Sequence, residues 1–250
     1  MKYFLIDLDG TIYRGNVLIE GAKESVEYLR TKGKVFFCTN TSNRSSAELS
    51  KKLKNLGISV SEKEIITTYD ILIAVLKKED KPCFFILSDK AKGHLVKNGI
   101  KFSEKADTVV VGYSTTSTYK DYDTAYRLIK NGAKFIAMHK LMTFPDSDGD
   151  HIGPGFFVNP LEELTGKKAF VIGKPSANFF ADALKKAVFG KKDTYMIGDD
   201  LPADINGAKD FGLKTIFVET GTHKGKDLKK HNSKPDYILK SIKDIASLSL

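Results

Sequence analysis

The sequence predicts an α/β fold: a parallel sheet with helices on both faces, interrupted by a smaller inserted α/β unit. Three observations carry that expectation. Apolar runs at 3–6, 35–38, 170–172, 195–197 and 215–218 alternate with segments of helical character, the pattern of parallel strands joined by crossover helices. Four of these runs stop at polar or turn-forming residues, where open α/β sheets bind ligands. The long stretch between the second and third runs has strands and helices of its own, enough to bury a separate core.

The first strand, 3–6, runs into Asp7-Leu8-Asp9-Gly10-Thr11. Gly10 lets the backbone turn sharply and approach a ligand, so Asp7 and Asp9 are expected at the mouth of a site. A helix follows over about 21–31, with Ala22, Val26 and Leu29 on one face, and Gly33 ends it. The strand at 35–38 leads into Thr39-Asn40-Thr41. Polar residues from Ser42 to Ser46 offer caps for a helix that reaches about residue 56 and stops at Gly57.

The middle segment, 81–168, has strand-like runs at 84–87, 108–111 and 135–138 and helices near 90–98 and 121–130. Residues 145–155 are loop-forming, and substrate-side structure and a plain long turn both fit them. Lys32-Gly33-Lys34-Val35-Phe36 and Asn131-Gly132-Ala133-Lys134-Phe135 look alike. They use the same helix–strand turn chemistry twice rather than forming a repeat. The expected division is therefore a discontinuous core, 1–80 and 169–250, around an inserted domain, 81–168.

In the last part, the strand at 170–172 ends in Gly173-Lys174-Pro175, and a helix covers about 176–188. The strand at 195–197 ends in Gly198-Asp199-Asp200-Leu201-Pro202-Ala203-Asp204-Ile205, and a helix follows near 203–211. A strand at 215–218, a short one at 237–239 and a closing helix complete the chain. An acidic cluster before a helix can be a simple N-cap; the presence of Asp7 in the same set argues for metal binding.

Composition narrows the function classes. With 250 residues, the chain permits one large or two small domains, and 41% hydrophobic content is that of an ordinary globular protein. The formal charge of +9 suits an acidic partner, but the basic residues are dispersed. The densest run, 224–234, reads as a solvated face rather than a nucleic-acid groove. Two cysteines, Cys38 and Cys83, make neither a disulfide framework nor a metal knuckle. Asp7 and Asp9 interrupt the only early apolar run, so no signal peptide is expected, and no stretch is long enough to cross a membrane. The expected location is cytoplasmic.

The four polar motifs, in this order and each at a strand end, are similar to those of the haloacid dehalogenase superfamily in its phosphatase branch. The long gap between the second and third resembles the NagD-like, or nitrophenylphosphatase-like, subgroup, whose cap domain is inserted there. The resemblance implies a Rossmann-like core under an α/β cap. It implies Asp7 as a nucleophile that forms an aspartyl-phosphate, later hydrolysed by water. It assigns Asp9 as general acid and base, and Lys174 to offset the charge of Asp7 and the phosphate. Thr39 and Asn40 would donate to phosphate oxygens from hydroxyl and backbone N–H groups. Mg²⁺ is the implied cofactor, held by the Asp7 carboxylate, the Asp9 carbonyl and the Asp199 carboxylate. Asp204 would steady a metal-bound water, while the role of Asp200 stays open. Dehalogenases need not protonate a halide and resemble this motif without its second aspartate, so Asp9 argues for a phosphatase.

The expected activity is Mg²⁺-dependent hydrolysis of a small soluble phosphate ester of the sugar phosphate, nucleotide or nitrophenyl phosphate type. The alternative is cleavage of P–N or P–O–P bonds, since Ala137-Met138-His139-Lys140 with Gly153-Pro154-Gly155 is similar to members with that assignment. A non-catalytic nucleic-acid-binding protein is a more remote alternative, and neither nucleic acid nor membrane is the expected partner. His139 and Lys140 would meet the distal group of the substrate, or else flank a strand at the surface. The resemblance allows a homodimer through the cap, and no apolar stripe decides it.

Overall fold

The computed structural model describes residues 1–146 and 149–250. In chain order, β1 (Lys2–Ile6) precedes a small antiparallel hairpin of β2 (Tyr13–Arg14) and β3 (Val17–Leu18). Then come α1 (Ala22–Lys32), β4 (Gly33–Thr39), α2 (Ser46–Asn55), β5 (Ile65–Thr67) and α3 (Thr68–Glu79). The inserted segment contains β6 (Cys83–Ile86), α4 (Asp89–Lys97), β7 (Thr108–Val111), α5 (Tyr119–Lys130) and β8 (Lys134–Ala137). It continues through β9 (Thr143–Asp146), β10 (Gly149–Ile152), α6 (Gly155–Thr165) and β11 (Phe170–Val171). The chain closes with α7 (Ala177–Ala187), β12 (Thr194–Gly198), α8 (Gly207–Phe211), β13 (Lys214–Val218) and β14 (Tyr237–Leu239).

The larger sheet has six parallel strands in the order β14-β13-β12-β1-β4-β5. Strand residues alternate between its two faces, as the pleat requires. Phe4, Ile6, Val35 and Phe37 pack with Val26 and Leu29 of α1 and Leu49 and Leu53 of α2. Leu5, Cys38 and Met196 pack on the opposite side with Phe179, Phe180 and Ala183 of α7. Both faces are thus covered, which is why the strands read as continuous apolar runs. The first half of the chain extends the sheet one way from β1 and the last part the other way. The switch point falls between β1 and β12, the crevice where such sheets bind ligands.

The second sheet has four parallel strands in the order β11-β8-β7-β6. It too is sandwiched. Phe85, Val110, Ile136 and Met138 pack with Leu72 and Leu76 of α3 and Leu95 of α4. Phe84, Ile86, Val109 and Val111 pack with Ala125 and Ile129 of α5 and Val158 and Leu161 of α6. β11, grouped in the sequence with the last part of the chain, pairs instead with β8 of this sheet. The apolar run at 170–172 has no local feature that names its partner strand.

Other differences follow from tertiary packing. β5 and α3, unmarked in the sequence reading, continue the chain from the larger sheet onto the smaller one. The expected 145–155 loop contains the antiparallel β9–β10 hairpin, and its residues 147 and 148 lie outside the described residues. α6 carries Pro160 inside it. In place of the closing helix, 3₁₀ turns cover Ile242–Ser247. Among the described residues no helix is long and apolar enough to cross a membrane.

Candidate active site

Three carboxylates converge at the switch point. Asp7 extends β1 by one residue, its N–H donating to the Ile197 carbonyl of β12 at 2.8 Å. Asp199 follows β12 directly. After it the chain makes a wide π-helical turn, Leu201–Asn206, whose N-cap Asp200 accepts from the Ala203 N–H at 2.7 Å. That turn carries Asp204 back toward the strand ends, where its Oδ2 accepts from the Asp200 N–H at 3.1 Å. Asp7, Asp199 and Asp204 each offer an oxygen within 4.8 Å of the others, and all three are buried.

Lys174 is buried among them. Its ammonium donates to Asp7 Oδ1 at 2.6 Å, to Asp204 Oδ1 at 2.7 Å and to the Cys38 carbonyl at 3.3 Å. All three of its donors are thereby used. Asn40 fixes the Lys174 backbone from both sides: its Nδ2 donates to the Lys174 carbonyl at 2.9 Å and its Oδ1 accepts the Lys174 N–H at 2.7 Å. A Cβ at Gly173 would lie 2.5 Å from Asn40 Oδ1 and 2.6 Å from the Met138 carbonyl. Gly173 is therefore required by the close approach of neighbouring strand ends, not by turn chemistry alone.

Asp199 is gripped on both oxygens. The Thr11 hydroxyl donates to Oδ1 at 3.1 Å and the Thr222 N–H to Oδ2 at 2.6 Å. Thr222 belongs to a loop after β13 that clamps the first acidic loop. Thr220 donates to the Gly10 carbonyl at 2.7 Å, and Arg14 to the Gly221 carbonyl at 3.2 Å. Gly10 has φ +84°, a left-handed conformation, and a Cβ at Gly221 would sit 1.9 Å from Asp199 Oδ2. The clamp escaped the sequence reading because its working groups are mostly backbone atoms. Its available signal was position: Thr220 and Gly221 stand just beyond another strand end.

Crowding shows in the proton affinities. Burial, with added repulsion from Asp204 and Asp199 and opposition from Lys174, pushes Asp7 well above the usual carboxylate range. Burial and Asp204 push Asp199 up to about 6 and Asp200 up to about 7. Burial would lower Lys174, but Asp204 and Asp7 beside it hold it well above the usual lysine value. One ammonium therefore faces more negative charge than it offsets. An all-oxygen donor set short of positive charge fits a hard divalent cation. Asp204, expected to act through a bound water, offers its oxygen in the same cluster as the other two.

The cluster forms one end of a cleft of about 570 Å³. Asp9 lines it, accepting from the Tyr13 hydroxyl at 3.4 Å. Thr39 and Asn40 line it too, and the Thr41 N–H donates to Thr39 Oγ1 at 3.2 Å. His139 is brought to the cleft and is buried. Burial and Lys174 push it down to about 4, so it is neutral near pH 7. Its Nδ1 accepts from the Leu141 N–H at 3.4 Å, which places the ring proton on Nε2. Lys140 is not brought there. Its ammonium turns away to Glu162 Oε2 at 2.8 Å. Cap residues that no motif marked, Tyr113, Leu141 and Phe144, also line the cleft, with Pro154 of the Gly153-Pro154-Gly155 stretch.

Residues 4–101 match the family model of haloacid dehalogenase-like hydrolases, and residues 171–245 match a second, HAD-hydrolase-like model. The chain is 35% identical over 237 residues to haloacid dehalogenase-like hydrolase domain-containing protein 2 of Mus musculus, covering 94% of this chain and 90% of that protein. It is 34% identical over 253 residues to the sugar-phosphatase AraL of Bacillus subtilis, covering 98% and 92%. Among solved structures, the p-nitrophenyl phosphatase from Archaeoglobus fulgidus superposes with a TM-score of 0.90 at 28% identity, over 98% of each chain. NagD from E. coli superposes at 0.85 and 26% identity, again over 98% of each chain. A glycerol phosphate phosphatase from Mycobacterium tuberculosis, solved with magnesium, superposes at 0.84 and 26% identity over 98% of this chain and 76% of that one. The chain belongs to the haloacid dehalogenase-like hydrolases and, within them, to the NagD-like phosphatases.

Proposed function

We propose that this phosphatase is a Mg²⁺-dependent phosphomonoesterase that works through an aspartyl-phosphate on Asp7. The single observation that carries this reading is the Asp7–Lys174–Asp204 array beside Asp199, at one end of a cleft large enough for a small organic molecule. Sugar phosphates, nitrophenyl phosphate and glycerol phosphate, named for the relatives, fall within one class of substrate: small soluble phosphate monoesters.

Asp7, Asp199 and Asp204 would hold Mg²⁺, which when bound neutralises charge on the phosphate and the carboxylates. Lys174 holds Asp7 Oδ1 and keeps the nucleophile oriented. A carboxylate oxygen of Asp7 forms a bond to phosphorus as the bond from phosphorus to the ester oxygen breaks. Asp9 delivers its proton to that oxygen. Water then attacks the phosphorus, Asp9 takes up its proton, and phosphate leaves with Asp7 restored. Thr39 and the backbone at Asn40 hold the phosphoryl oxygens.

The division into a core, 1–80 and 169–250, and a cap, 81–168, belongs to the same reading. The packing of α3 and β11 with the smaller sheet supports moving the two joints outward, to about 68 and 172. Cytoplasmic residence also belongs to it; two buried free thiols, Cys38 and Cys83, fit a reducing compartment. The test is hydrolysis of a panel of phosphate monoesters with EDTA, with Mg²⁺ and with Ca²⁺, alongside intact-protein mass measurement. Activity should vanish in EDTA and return with Mg²⁺ but not Ca²⁺, whose longer and more numerous bonds disturb in-line transfer. One added phosphoryl group should appear on the protein. Full turnover in chelator overturns the reading.

A further inference from the structure

The phosphate end of the cleft has its own positive charge, in Lys174 and in the cation that the carboxylates call for. Two guanidinium groups in the same cleft are surplus to that end. Arg14, at the end of β2, and Arg44, just before the Ser45 cap of α2, both line it. Arg14 spends one nitrogen on the Gly221 carbonyl, which anchors the group and leaves further donors of its planar fork. Arg44 is half-buried and has no ion pair or hydrogen bond among the described residues. Its charge is close enough to oppose the upward push that burial and Asp9 exert on the Tyr13 hydroxyl. In the same cleft, Tyr113 and Phe144 of the cap meet edge to face, with ring centroids 5.3 Å apart at 90°. The cleft thus combines an aromatic pair with two guanidinium groups.

We propose that the preferred substrate is a phosphate monoester whose leaving group carries a second anionic group, carboxylate or phosphate, read by Arg44 with Arg14. This rests on the phosphomonoesterase reading and narrows it. A guanidinium that waits without an acidic partner keeps its full pairing capacity for a ligand, and an anion between planar forks is bound bidentately. A neutral sugar or alcohol would offer the two groups nothing to pair with. The carbon skeleton between the two anions would lie against Tyr113 and Phe144.

The test compares 3-carboxyphenyl phosphate with the neutral 3-carbamoylphenyl phosphate, of the same size and with a closely similar leaving oxygen. Turnover is measured as kcat/KM with Mg²⁺. Binding is measured separately by calorimetry on the Asp7→Asn protein, which cannot turn over. The carboxylate should be preferred by roughly 10–100-fold in both measurements, the size of one charge-assisted contact. The preference should shrink in high salt. Arg44→Met should lose at least tenfold more on the carboxylate ester than on the amide. Equal losses on both esters would show that Arg44 only balances the aspartates, and overturn the proposal. So would an unchanged preference in Arg44→Met, or no preference in the parent protein. Absence of hydrolysis for every ester would sink the phosphatase mechanism alone; the binding ratio on Asp7→Asn would still decide the anion proposal.

Discussion

The core and the cap line the cleft with two kinds of surface. On the core side, polar side chains are tied several times over: Asp199 on both oxygens, Lys174 on all three donors, the Asn40 amide on both ends. On the cap side, Tyr113 and Phe144 touch the cleft through ring contacts, and a single backbone bond, Tyr113 N–H to Ser42 Oγ at 3.3 Å, reaches the core nearby. Phosphoryl transfer depends on charges that do not reorganise during the reaction. A wall that only receives a leaving group tolerates replacement. Changes in the core should therefore slow every ester, whereas changes in the cap should act mainly on the choice among esters.

The largest effect expected is at the two aspartates of the first loop. Asp7→Asn should abolish the phosphoenzyme with any ester. Asp9→Asn keeps the nucleophile but loses the proton donor, so alkyl phosphates should slow by roughly 10²–10⁴-fold. A p-nitrophenyl ester leaves as a stabilised anion, so Asp9→Asn should give a burst of nitrophenol followed by slow turnover. Stopped-flow release together with protein mass checks this. The core would lose its special status if Asp7→Asn became phosphorylated, or if Asp9→Asn turned over alkyl esters at the parent rate.

Next in size is the clamp behind Asp199. Gly221→Ala pushes a methyl group into the position of Asp199 Oδ2, so the carboxylate must turn or the loop must retreat. Disturbed partners of metal ligands cost roughly 10–100-fold in metal affinity. Calorimetric titration with Mg²⁺ should show that loss. Phe144→Ala, by contrast, should leave the Mg²⁺ affinity within twofold, and a larger change there would erase the division between the two surfaces.

That division also explains what the sequence made legible. Asp7, Thr39, Lys174 and Asp199 each follow an apolar run, so a rule about strand ends located them before any contact was known. The wide turn that returns Asp204 to the cluster begins at an ordinary N-cap and gave no warning of its shape. Tyr113 and Phe144 are single residues in an aromatic-rich chain and reach the cleft only through the packing of two sheets. His139 and Lys140 show the limit most plainly. Of these two adjacent residues beyond β8, one is buried at the cleft and the other is turned to Glu162. The partner of β11 and the Thr222 N–H bond are invisible for a related reason: backbone pairing over long separations leaves no trace in side-chain patterns.

A smaller, pH-dependent effect separates the metal-free core from the loaded one. Asp199 and Asp200 are pushed up to about 6 and 7, above the roughly 3.9 of an unfolded aspartate. A raised carboxyl binds more protons folded than unfolded, so the metal-free protein should lose stability as pH rises from about 4 through 7. Bound Mg²⁺ requires ionised carboxylates, so its stabilisation should grow over the same window. Thermal melts at pH 5.5 and 7.5 in EDTA and in Mg²⁺ should therefore diverge as pH rises. Parallel curves would mean that the acidic cluster is not where the metal acts.

The smallest effect expected is at Lys140, and it sharpens the comparison by testing a cap residue that does not face the cleft. The Lys140 side chain is 31% exposed and its partner Glu162 is nearly buried, at 5%. Glu162 also accepts from the Ala169 N–H at 2.9 Å and from Lys168 at 3.2 Å. Lys140→Ala therefore does not strand a buried charge. A half-exposed pair of this kind contributes about 0.2–1 kcal/mol, so the melting temperature should fall by only a few degrees. Relative kcat/KM values across the ester panel should stay within twofold of the parent, because the ammonium is held by Glu162 and does not line the cleft. Phe144→Ala in the same panel should move those ratios further. If Lys140→Ala instead reorders the esters, the ammonium must swing from Glu162 into the cleft during turnover, and the cap contributes charge as well as an apolar wall to the choice of substrate.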